Sequence, residues 1–436
     1  MKPRNPSRQS LGLIVLSFAT AGLSILSSQS AQGAAYDWIG ATNATWDSGW
    51  TGSNVPTSSD DLSILGPLNA AGALNINVAA SAFANSLNFT DTAAVTLTNT
   101  TSGANQTLTL QNGLTIGTGA VTNGSTTVNQ GVSTTLGANQ AWTIGTGGLT
   151  TNSAVNLSTF NLTKSGAGGF TLNGPLTGSG TITSNALNFG NATPNGSNGS
   201  NSGGFTGALN VGGLLGFNSP GSFNGADYYY NFSNAAVTFT VGGSTQWNAA
   251  NGGANNDPGI AYINFGSLSS ASGVGTLVGT TGGTVNTKGA RYIVGTLNTD
   301  TSFGGVVSPS SLGTALTKVG TGTLTLTGTH TYAGIGTYGT FGPVPATTIR
   351  GGTLQLGDGT SGSLAGTGAL TFQDSGRFNY QGQTAGSSQS LGTLTFAQGG
   401  GTVQSTSGSS GNTSLTFASL AARAAGATGN FVVSGG

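Results

Sequence analysis

Residues 162–174, LTKSGAGGFTLNG, and residues 316–328, LTKVGTGTLTLTG, repeat one pattern of thirteen residues. Both copies fit L-T-K-x-G-x-G-x-[FL]-T-L-x-G, in which glycines punctuate a short alternation of apolar and polar residues. A unit this short cannot bury its own apolar face, so it has to stack on neighbours of the same kind. The pattern therefore predicts an elongated, all-β structure built from stacked repeats.

The same alternation continues outside the two copies, from about residue 70 onward. Apolar residues recur at i and i+2, which is the period of a β-strand. A pair of the form Leu-x-Phe marks five strands: Leu87/Phe89, Leu187/Phe189, Leu370/Phe372, Leu394/Phe396 and Leu415/Phe417. The last three pairs are 24 and 21 residues apart, and a spacing of roughly 20–25 residues suits one turn of a parallel β-helix. We therefore predict that these three pairs lie above one another in successive turns.

The composition favours strands over helices and argues against a nucleic-acid partner. The chain of 436 residues has 78 glycines, no cysteine and equal numbers of basic and acidic residues, 10 of each. All of the acidic residues are aspartate, so long helices lack one of their best surface formers. With 5% charged residues, no basic face is present that could release counterions from a phosphate backbone. Without cysteine, disulfides and thiolate zinc sites are excluded.

The N-terminus has the layout of a secretory signal peptide. Three basic residues within 2–8 precede the apolar run Leu11 to Leu26, and small residues follow at 31–33. We predict a signal peptide over residues 1–33, with cleavage as late as residue 35 as the alternative site. A membrane anchor is less suitable, because the apolar run is shorter than the ~20 residues that cross a bilayer. The chain is expected to be exported, with no membrane span apart from the signal peptide.

Residues 34–70 are predicted to form an aromatic N-terminal cap. Trp38, Trp46 and Trp50 lie in this region and are three of the five tryptophans of the chain. The open end of a stack of strands needs a cover, which favours the cap. A sugar-stacking surface is the alternative, because indole faces pack against sugar rings.

Residues 71–436 are assigned to the β-helix. Three stretches interrupt its strand rhythm, and we interpret them as loops that bulge from the stack. These stretches are residues 191–204, 248–259 and 336–347.

The two phrases resemble the autotransporter-associated β-strand repeat of exported bacterial surface proteins, and the second copy carries more of that repeat. In the resemblance, His330 stands where asparagine is usual. The matching segments of the second copy are the lead-in 299–307, the core 318–328, Thr331-Tyr332-Ala333-Gly334 and the closing strand 351–356. We place the repeat units near residues 162–183 and 299–357.

The resemblance implies a right-handed parallel β-helix, a passenger region that is exported to the cell surface, associated with the outer membrane or released outside the cell. Many members of that family end in a membrane β-barrel. Residues 430–436 read as a strand cut within a domain, so we expect a chain truncated at its C-terminus, with a barrel or anchor downstream. An extracellular glycan or another surface ligand is the expected partner.

A search for chemistry gives no catalytic set. Glycosidases on parallel β-helices use paired carboxylates, but the one Asp-Asp pair, Asp60-Asp61, lies in the predicted cap, and Asp300 belongs to the lead-in of the repeat. His330 is the single histidine, and we interpret it as a turn residue. Gly357-Asp358-Gly359 lacks the tandem period of calcium-binding repeats. We predict no catalytic, cofactor-binding or metal-binding residues, and no cofactor.

The predicted function is that of an exported, passenger-like bacterial surface or structural β-solenoid segment without catalytic activity. Adhesion is the role that the resemblance implies for it. Two alternatives stay open. One is a secreted polysaccharide-active enzyme on the same fold, a lyase or a glycosidase. The other is an inert stalk or spacer of a longer surface protein.

Overall fold

The structure is a computed structural model of the chain, and it describes most of the sequence after residue 32. The described residues are 33–41, 44–64, 74–90, 94–99, 106–123, 132–190, 193–194, 204–218, 227–248, 260–279, 289–309, 313–337, 342–365 and 367–435. The predicted signal peptide lies outside the described residues except for Gly33. Most residues of the loops predicted at 191–204 and 248–259 also lie outside them. Within the described ranges, no helix has the length and apolar character needed to cross a membrane.

In the described ranges, strands form the regular structure, apart from one short 3-10 helix at Thr51–Ser53. The first strands are β1 (Ala35–Asp37), β2 (Asp61–Ile64), β3 (Leu74–Asn77), β4 (Ala82–Phe89), β5 (Val95–Thr98), β6 (Gln106–Ile116), β7 (Val121–Asn123), β8 (Val132–Leu136), β9 (Gln140–Ile144), β10 (Leu149–Thr151), β11 (Val155–Asn156) and β12 (Leu162–Ser165). The middle strands are β13 (Phe170–Leu172), β14 (Leu176–Thr177), β15 (Thr181–Phe189), β16 (Thr193–Pro194), β17 (Ala208–Asn218), β18 (Tyr228–Phe239), β19 (Ser244–Asn248), β20 (Ala261–Ser270), β21 (Thr276–Leu277), β22 (Ala290–Val294), β23 (Thr301–Phe303) and β24 (Val306–Val307). The last strands are β25 (Gly313–Lys318), β26 (Thr323–Leu326), β27 (Thr329–His330), β28 (Gly334–Ile335), β29 (Thr347–Ile349), β30 (Thr353–Leu356), β31 (Ser363–Leu364), β32 (Leu370–Phe372), β33 (Gly376–Gln381), β34 (Ser387–Phe396), β35 (Gly400–Thr406), β36 (Thr413–Leu420) and β37 (Thr428–Ser434).

Most strands stack in parallel on a strand one turn earlier in the chain, which confirms the predicted all-β solenoid. The short strands β16 and β28 pair antiparallel with β18 and β25. One ladder is continuous from β1 to β37 through β2, β4, β6, β9, β12, β15, β17, β18, β20, β23, β26, β30, β33 and β35. Stacked residues are 20 positions apart at Thr163 and Thr183 but 33 apart at Ser270 and Phe303. The predicted turn length of 20–25 residues is therefore too narrow, because the strands carry the register while the segments between them vary in length.

The pairs Leu370/Phe372 and Leu394/Phe396 stack as the sequence predicts, residue on residue. Their phenyl rings are nearly parallel, with centroids 5.2 Å apart and an angle of 9° between the planes. Such an aromatic pair adds about 0.5–1.5 kcal/mol to the gain from burial alone.

The pair Leu415/Phe417 does not continue this column, and the prediction is wrong there. Leu415 and Phe417 pair with Gln389 and Leu391, while Leu420 stands opposite Leu394. The turn from Leu394 to Leu420 is 26 residues long, so a spacing of 21 residues led to the wrong register. The recurrence of a Leu-x-Phe pair does not fix which residues meet, because the register depends on the length of the segment between the strands.

The core fills the interior of the solenoid with the apolar residues of the alternating pattern. Aromatic rings form one continuous stretch of it: Phe189 and Phe217 are stacked with centroids 6.2 Å apart, Phe217 and Phe265 lie 6.4 Å apart, and Phe265 and Tyr292 lie 6.0 Å apart. All four side chains are fully buried. Burial of each such side chain stabilises the fold by roughly 1.5–3 kcal/mol, so contacts between turns hold the solenoid together.

Candidate functional site

The three N-terminal tryptophans are buried and pack on one another. Trp38, Trp46 and Trp50 are at most 1% exposed. Trp50 makes edge-to-face contacts with both of the others, at 5.0 Å between ring centroids in each case. Rings covered in this way offer no face to a sugar. The assignment of residues 34–70 as a cap stays a prediction.

Asp60 and Asp61 belong to separate hydrogen-bond networks. Asp60 Oδ2 accepts hydrogen bonds from the backbone N and the Oγ1 of Thr57, each at 2.7 Å. Burial raises the pKa of Asp60, but the hydrogen bonds, chiefly those from Thr57, outweigh it and hold the pKa below its usual value. Asp61 Oδ1 instead accepts from Asn85 Nδ2 at 2.8 Å and Ser86 Oγ at 2.5 Å, one turn later. Both carboxylates therefore fasten neighbouring segments of the chain.

Asp300 also fastens one turn to the next. Its Oδ1 accepts from the backbone N of Thr323 at 2.7 Å. Two residues earlier, Asn298 Oδ1 accepts from the backbone N of Thr321 at 2.8 Å, and Asn298 holds a positive φ of 60°. Asparagine and aspartate tolerate this region and satisfy nearby backbone donors. Asn298 and Asp300 thus hold the corner next to residues 318–328, the core of the repeat.

The lysine of each thirteen-residue phrase is buried and binds carbonyl oxygens at the corner that follows it. Lys318 Nζ donates to Val319 O at 2.6 Å and to Gly320 O at 3.3 Å. Lys164 Nζ donates to Gly166 O at 3.0 Å, in the equivalent position. Burial lowers the pKa of Lys318 to about 8, against the opposing charge of Asp300. The T-K-x-G element is therefore a corner in which an ammonium group satisfies backbone carbonyls, a role that the sequence did not reveal.

Asp358 closes a local turn. Its Oδ1 accepts from Thr360 N at 2.8 Å, Thr360 Oγ1 at 2.7 Å and Ser361 N at 2.8 Å. This oxygen is occupied by internal donors, as in an Asx-turn. Among the residues that the structure describes, no group of three or more His, Cys, Asp or Glu is placed to hold a metal ion.

Two arginines lie close to two fully buried threonines, and we call the group of Arg291, Thr317, Thr348 and Arg350 the arginine strip. Thr317 and Thr348 are register partners on β25 and β29. Arg291 Nε donates to Thr317 Oγ1 at 2.8 Å. Arg350 Nε and Nη2 donate to Gln373 Oε1 at 2.9 and 2.8 Å. Burial lowers the pKa of Arg291, and the charge of Arg350 lowers it further, so the two guanidinium groups repel each other.

Two tyrosines extend this surface along the ladder. Tyr229, Tyr262 and Arg291 are successive register partners on β18, β20 and β22. The rings of Tyr229 and Tyr262 are parallel within 6°, with centroids 4.8 Å apart. Burial, followed by the charge of Asp227, raises the pKa of both phenols. Asp227 therefore marks the acidic end of the surface, while the arginines mark its basic end.

A short antiparallel bridge borders the tyrosines. Ile335 and Val344 pair with each other, and Ile335 packs on Ile260 and Ala315 in a small apolar cluster that Tyr262 also contacts. This part of the loop predicted at 336–347 thus lies on the outer wall instead of projecting away from it.

A comparison with known protein families found one match. Residues 316–356 match the family model of the passenger-associated-transport-repeat. This chain carries a passenger-associated-transport repeat. Together with the solenoid, the repeat fits an autotransporter passenger-like repeat protein, which confirms the resemblance seen in the sequence. No curated protein and no solved structure matches the chain.

The passenger-associated-transport repeat also contains His330, which the structure places differently from the sequence-based interpretation. His330 lies in β27 and is fully buried, so its assignment to a turn is wrong. Its Nδ1 accepts from the backbone N of Val307 at 3.1 Å, and its ring lies 6.3 Å from that of Phe303. Burial lowers the pKa of His330 to about 4, so the imidazole is neutral at pH 7.

The chemistry available to His330 is limited by its surroundings. With Nδ1 as an acceptor, the proton sits on Nε2, which is buried and has no hydrogen-bond partner. A general base needs a polar reaction partner within hydrogen-bond reach. The passenger-associated-transport repeat therefore uses this histidine as a core residue.

Proposed function

We propose that this chain is an exported, passenger-like solenoid segment that presents its outer wall to extracellular ligands and catalyses no reaction. The family match supports the passenger-like part of the proposal, since passenger regions are exported to the bacterial surface. Adhesion is the role that best uses a long wall of stacked strands, because solenoids bind ligands along such extended surfaces.

The proposal that the segment is not an enzyme rests on the hydrogen bonds that its polar residues make. Lys318 in the repeat, and Asn298 and Asp300 just before it, make hydrogen bonds to the backbone of their own or the next turn. Side chains that are bound in this way stabilise the fold and are not free to act as a general acid or base.

The location of the chain is tested on intact cells. Cells that express the full protein are treated with a protease, and the loss of the solenoid is followed with an antibody raised against the purified chain. We expect cleavage at the cell surface or recovery of the chain from the medium. Retention of the intact chain within cells that are themselves intact would contradict the proposal.

Catalysis is tested with the purified protein on a panel of neutral and acidic polysaccharides. New reducing ends report hydrolysis, and absorbance of unsaturated products reports lyase activity. We expect neither above the level of a boiled control. Robust turnover of any substrate would support the alternative of a secreted polysaccharide-active enzyme. Binding to no glycan, cell or matrix surface would support the inert spacer.

A further inference from the structure

We propose that the arginine strip binds the carboxylate groups of an acidic extracellular polysaccharide. The inference rests on the proposed function, since it takes the outer wall to be exposed outside the cell. It adds the ligand class and the residues that would recognise it.

The distribution of charge singles out this part of the chain. Residues 34–163 contain five aspartates and no lysine or arginine. Half of the ten basic residues of the chain fall instead within residues 288–377. Three aspartates, Asp300, Asp358 and Asp374, fall in the same range, so it carries a formal charge of +2. In a protein this poor in charge, a local excess of that size shapes the surface potential.

The two arginines of the strip are held by neutral groups. Arg291 is bound by the hydroxyls of Thr317 and Tyr262, and Arg350 by the amide oxygen of Gln373. Among the described residues, neither guanidinium group has a carboxylate partner. Two cations that repel each other on a partly desolvated surface are unfavourable unless an anion joins them. A carboxylate suits this place, because the planar guanidinium group binds it through parallel hydrogen bonds.

Thr348 supplies a second, independent observation. Its Oγ1 is buried and has no hydrogen-bond partner, and the residue is 0% exposed. On either side of it, Thr347 and Ile349 belong to the inward face, since Thr347 Oγ1 contacts the buried Tyr332 hydroxyl at 2.9 Å. Thr348 is therefore directed outward, beside its register partner Thr317. An unused hydroxyl at this place is a donor that a bound oxyanion can satisfy.

The shape of the surface favours a chain-like ligand over a small anion. From Tyr229 and Tyr262 to Arg291, and on to Thr317 and Thr348, the surface crosses five stacked strands. Stacked strands are about 4.8 Å apart, so the surface extends over roughly 20 Å. Asp227 would repel an anion at the tyrosine end. A carboxylate therefore belongs at the arginine end, with less charged parts of the polysaccharide along the tyrosines.

The test uses a fluorescently labelled oligogalacturonate and the full-length protein, with binding followed by fluorescence anisotropy at low ionic strength. The variants are Arg291→Gln, Arg350→Gln and the double variant. Arg377→Gln is the matched control, because Arg377 is also an arginine that donates to a glutamine, Gln404, at 2.7 Å, but it lies outside the strip. Melting curves of all variants check that they fold.

We expect the wild-type protein and Arg377→Gln to bind alike. Each single variant should bind about tenfold more weakly and the double variant about a hundredfold more weakly, since each charged hydrogen bond is worth about one factor of ten. A neutral maltooligosaccharide should not compete. Equal affinity of the double variant and the control, or no binding by the wild-type protein, would overturn the proposal.

Two further outcomes separate the ligand classes. If inorganic phosphate displaces the labelled oligogalacturonate at the same concentration of charge, the strip binds small anions. If dextran sulfate binds more tightly than the oligogalacturonate does, the strip binds sulfate groups. Either result overturns the carboxylate. If the protein cleaves the oligogalacturonate, the proposed absence of catalysis is wrong. If the affinity nevertheless depends on the two arginines, the proposed binding site is still supported.

Discussion

At the scale of single residues, His330 gives the chain an acid-sensitive position in its core. Its pKa of about 4 in the folded protein lies below the ~6.5 of an unfolded chain. Between these two pH values the unfolded state binds more protons, so the free energy of unfolding falls as the pH is lowered. The contribution is complete above pH ~6.5, and its loss down to pH ~4 amounts to on the order of 3 kcal/mol.

Replacement of His330 by asparagine, the residue usual in the family, should remove this slope. Denaturant midpoints of the wild-type protein and of His330→Asn, measured from pH 7 to pH 4, give the difference. Comparing the two proteins cancels the titration of Asp60 and Asp358, whose carboxylates titrate in both. Identical slopes for the two proteins would contradict the assigned role of His330.

Lys318 is a second residue whose role can be isolated. The variant Lys318→Met keeps the length of the side chain but removes the donor from the carbonyl oxygens of Val319 and Gly320. We expect the free energy of unfolding to fall by about 2 kcal/mol, because buried acceptors lose their partner. Chemical denaturation followed by circular dichroism measures it, with the outward-facing Thr325→Ala as the control. A stability equal to that of the wild-type protein would mean that burial of the ammonium costs as much as its hydrogen bonds contribute.

At the scale of elements, the corners between strands depend on glycine to different degrees. Gly320 has a φ of +71°, and an added Cβ would lie 2.0 Å from the carbonyl oxygen of Gly295. Gly359 has a φ of +93°, yet nothing lies within 4 Å of an added Cβ. Both positions strain an alanine by about 1 kcal/mol or more, but Gly320 alone also meets the backbone of the turn below.

The variants Gly320→Ala and Gly359→Ala separate these two effects. We expect Gly320→Ala to lose about 3 kcal/mol or more of unfolding free energy, and Gly359→Ala only the strain of its backbone conformation, about 1 kcal/mol. Thermal and chemical denaturation of both purified variants provides the comparison. Equal losses of unfolding free energy in the two variants would contradict this, because the backbone at Gly320 would then shift away from Gly295 without an energetic cost.

The strands also show how much of the fold can be predicted from the sequence. The alternation of residues predicts strands and parallel stacking, since a period of two leaves one face to bury. It does not determine which strands meet: Leu394 pairs with Leu420 and not with Leu415, because segments of variable length separate them. Arg291 and Arg350 belong to turns far apart in the chain and come together only once that register is known. For His330, similarity to a repeat predicted a turn, whereas burial against Phe303 placed it in the core.

At the scale of the whole molecule, the last strand of the ladder exposes apolar side chains. Phe431 is 60% exposed and Val433 is 81% exposed. Exposed strands of this kind pair with other chains. The purified 436-residue chain should therefore self-associate as its concentration rises, and the double variant Phe431→Thr, Val433→Thr should do so less. Sedimentation velocity measures this, with Val241→Thr as the control, because Val241 is 84% exposed but lies in a turn. No difference between the variants would contradict the prediction.

The unequal length of the turns has an evolutionary consequence. Because Thr163 and Thr183 stack as well as Ser270 and Phe303 do, a turn gains or loses residues at its corners while the strands above and below keep their partners. In-frame insertions and deletions at the corners are therefore far less harmful than those within strands, where a shift by one residue turns the apolar side chains outward. Genes for such chains can diverge rapidly in length, and foreign peptides inserted at a corner should be displayed on an otherwise intact scaffold.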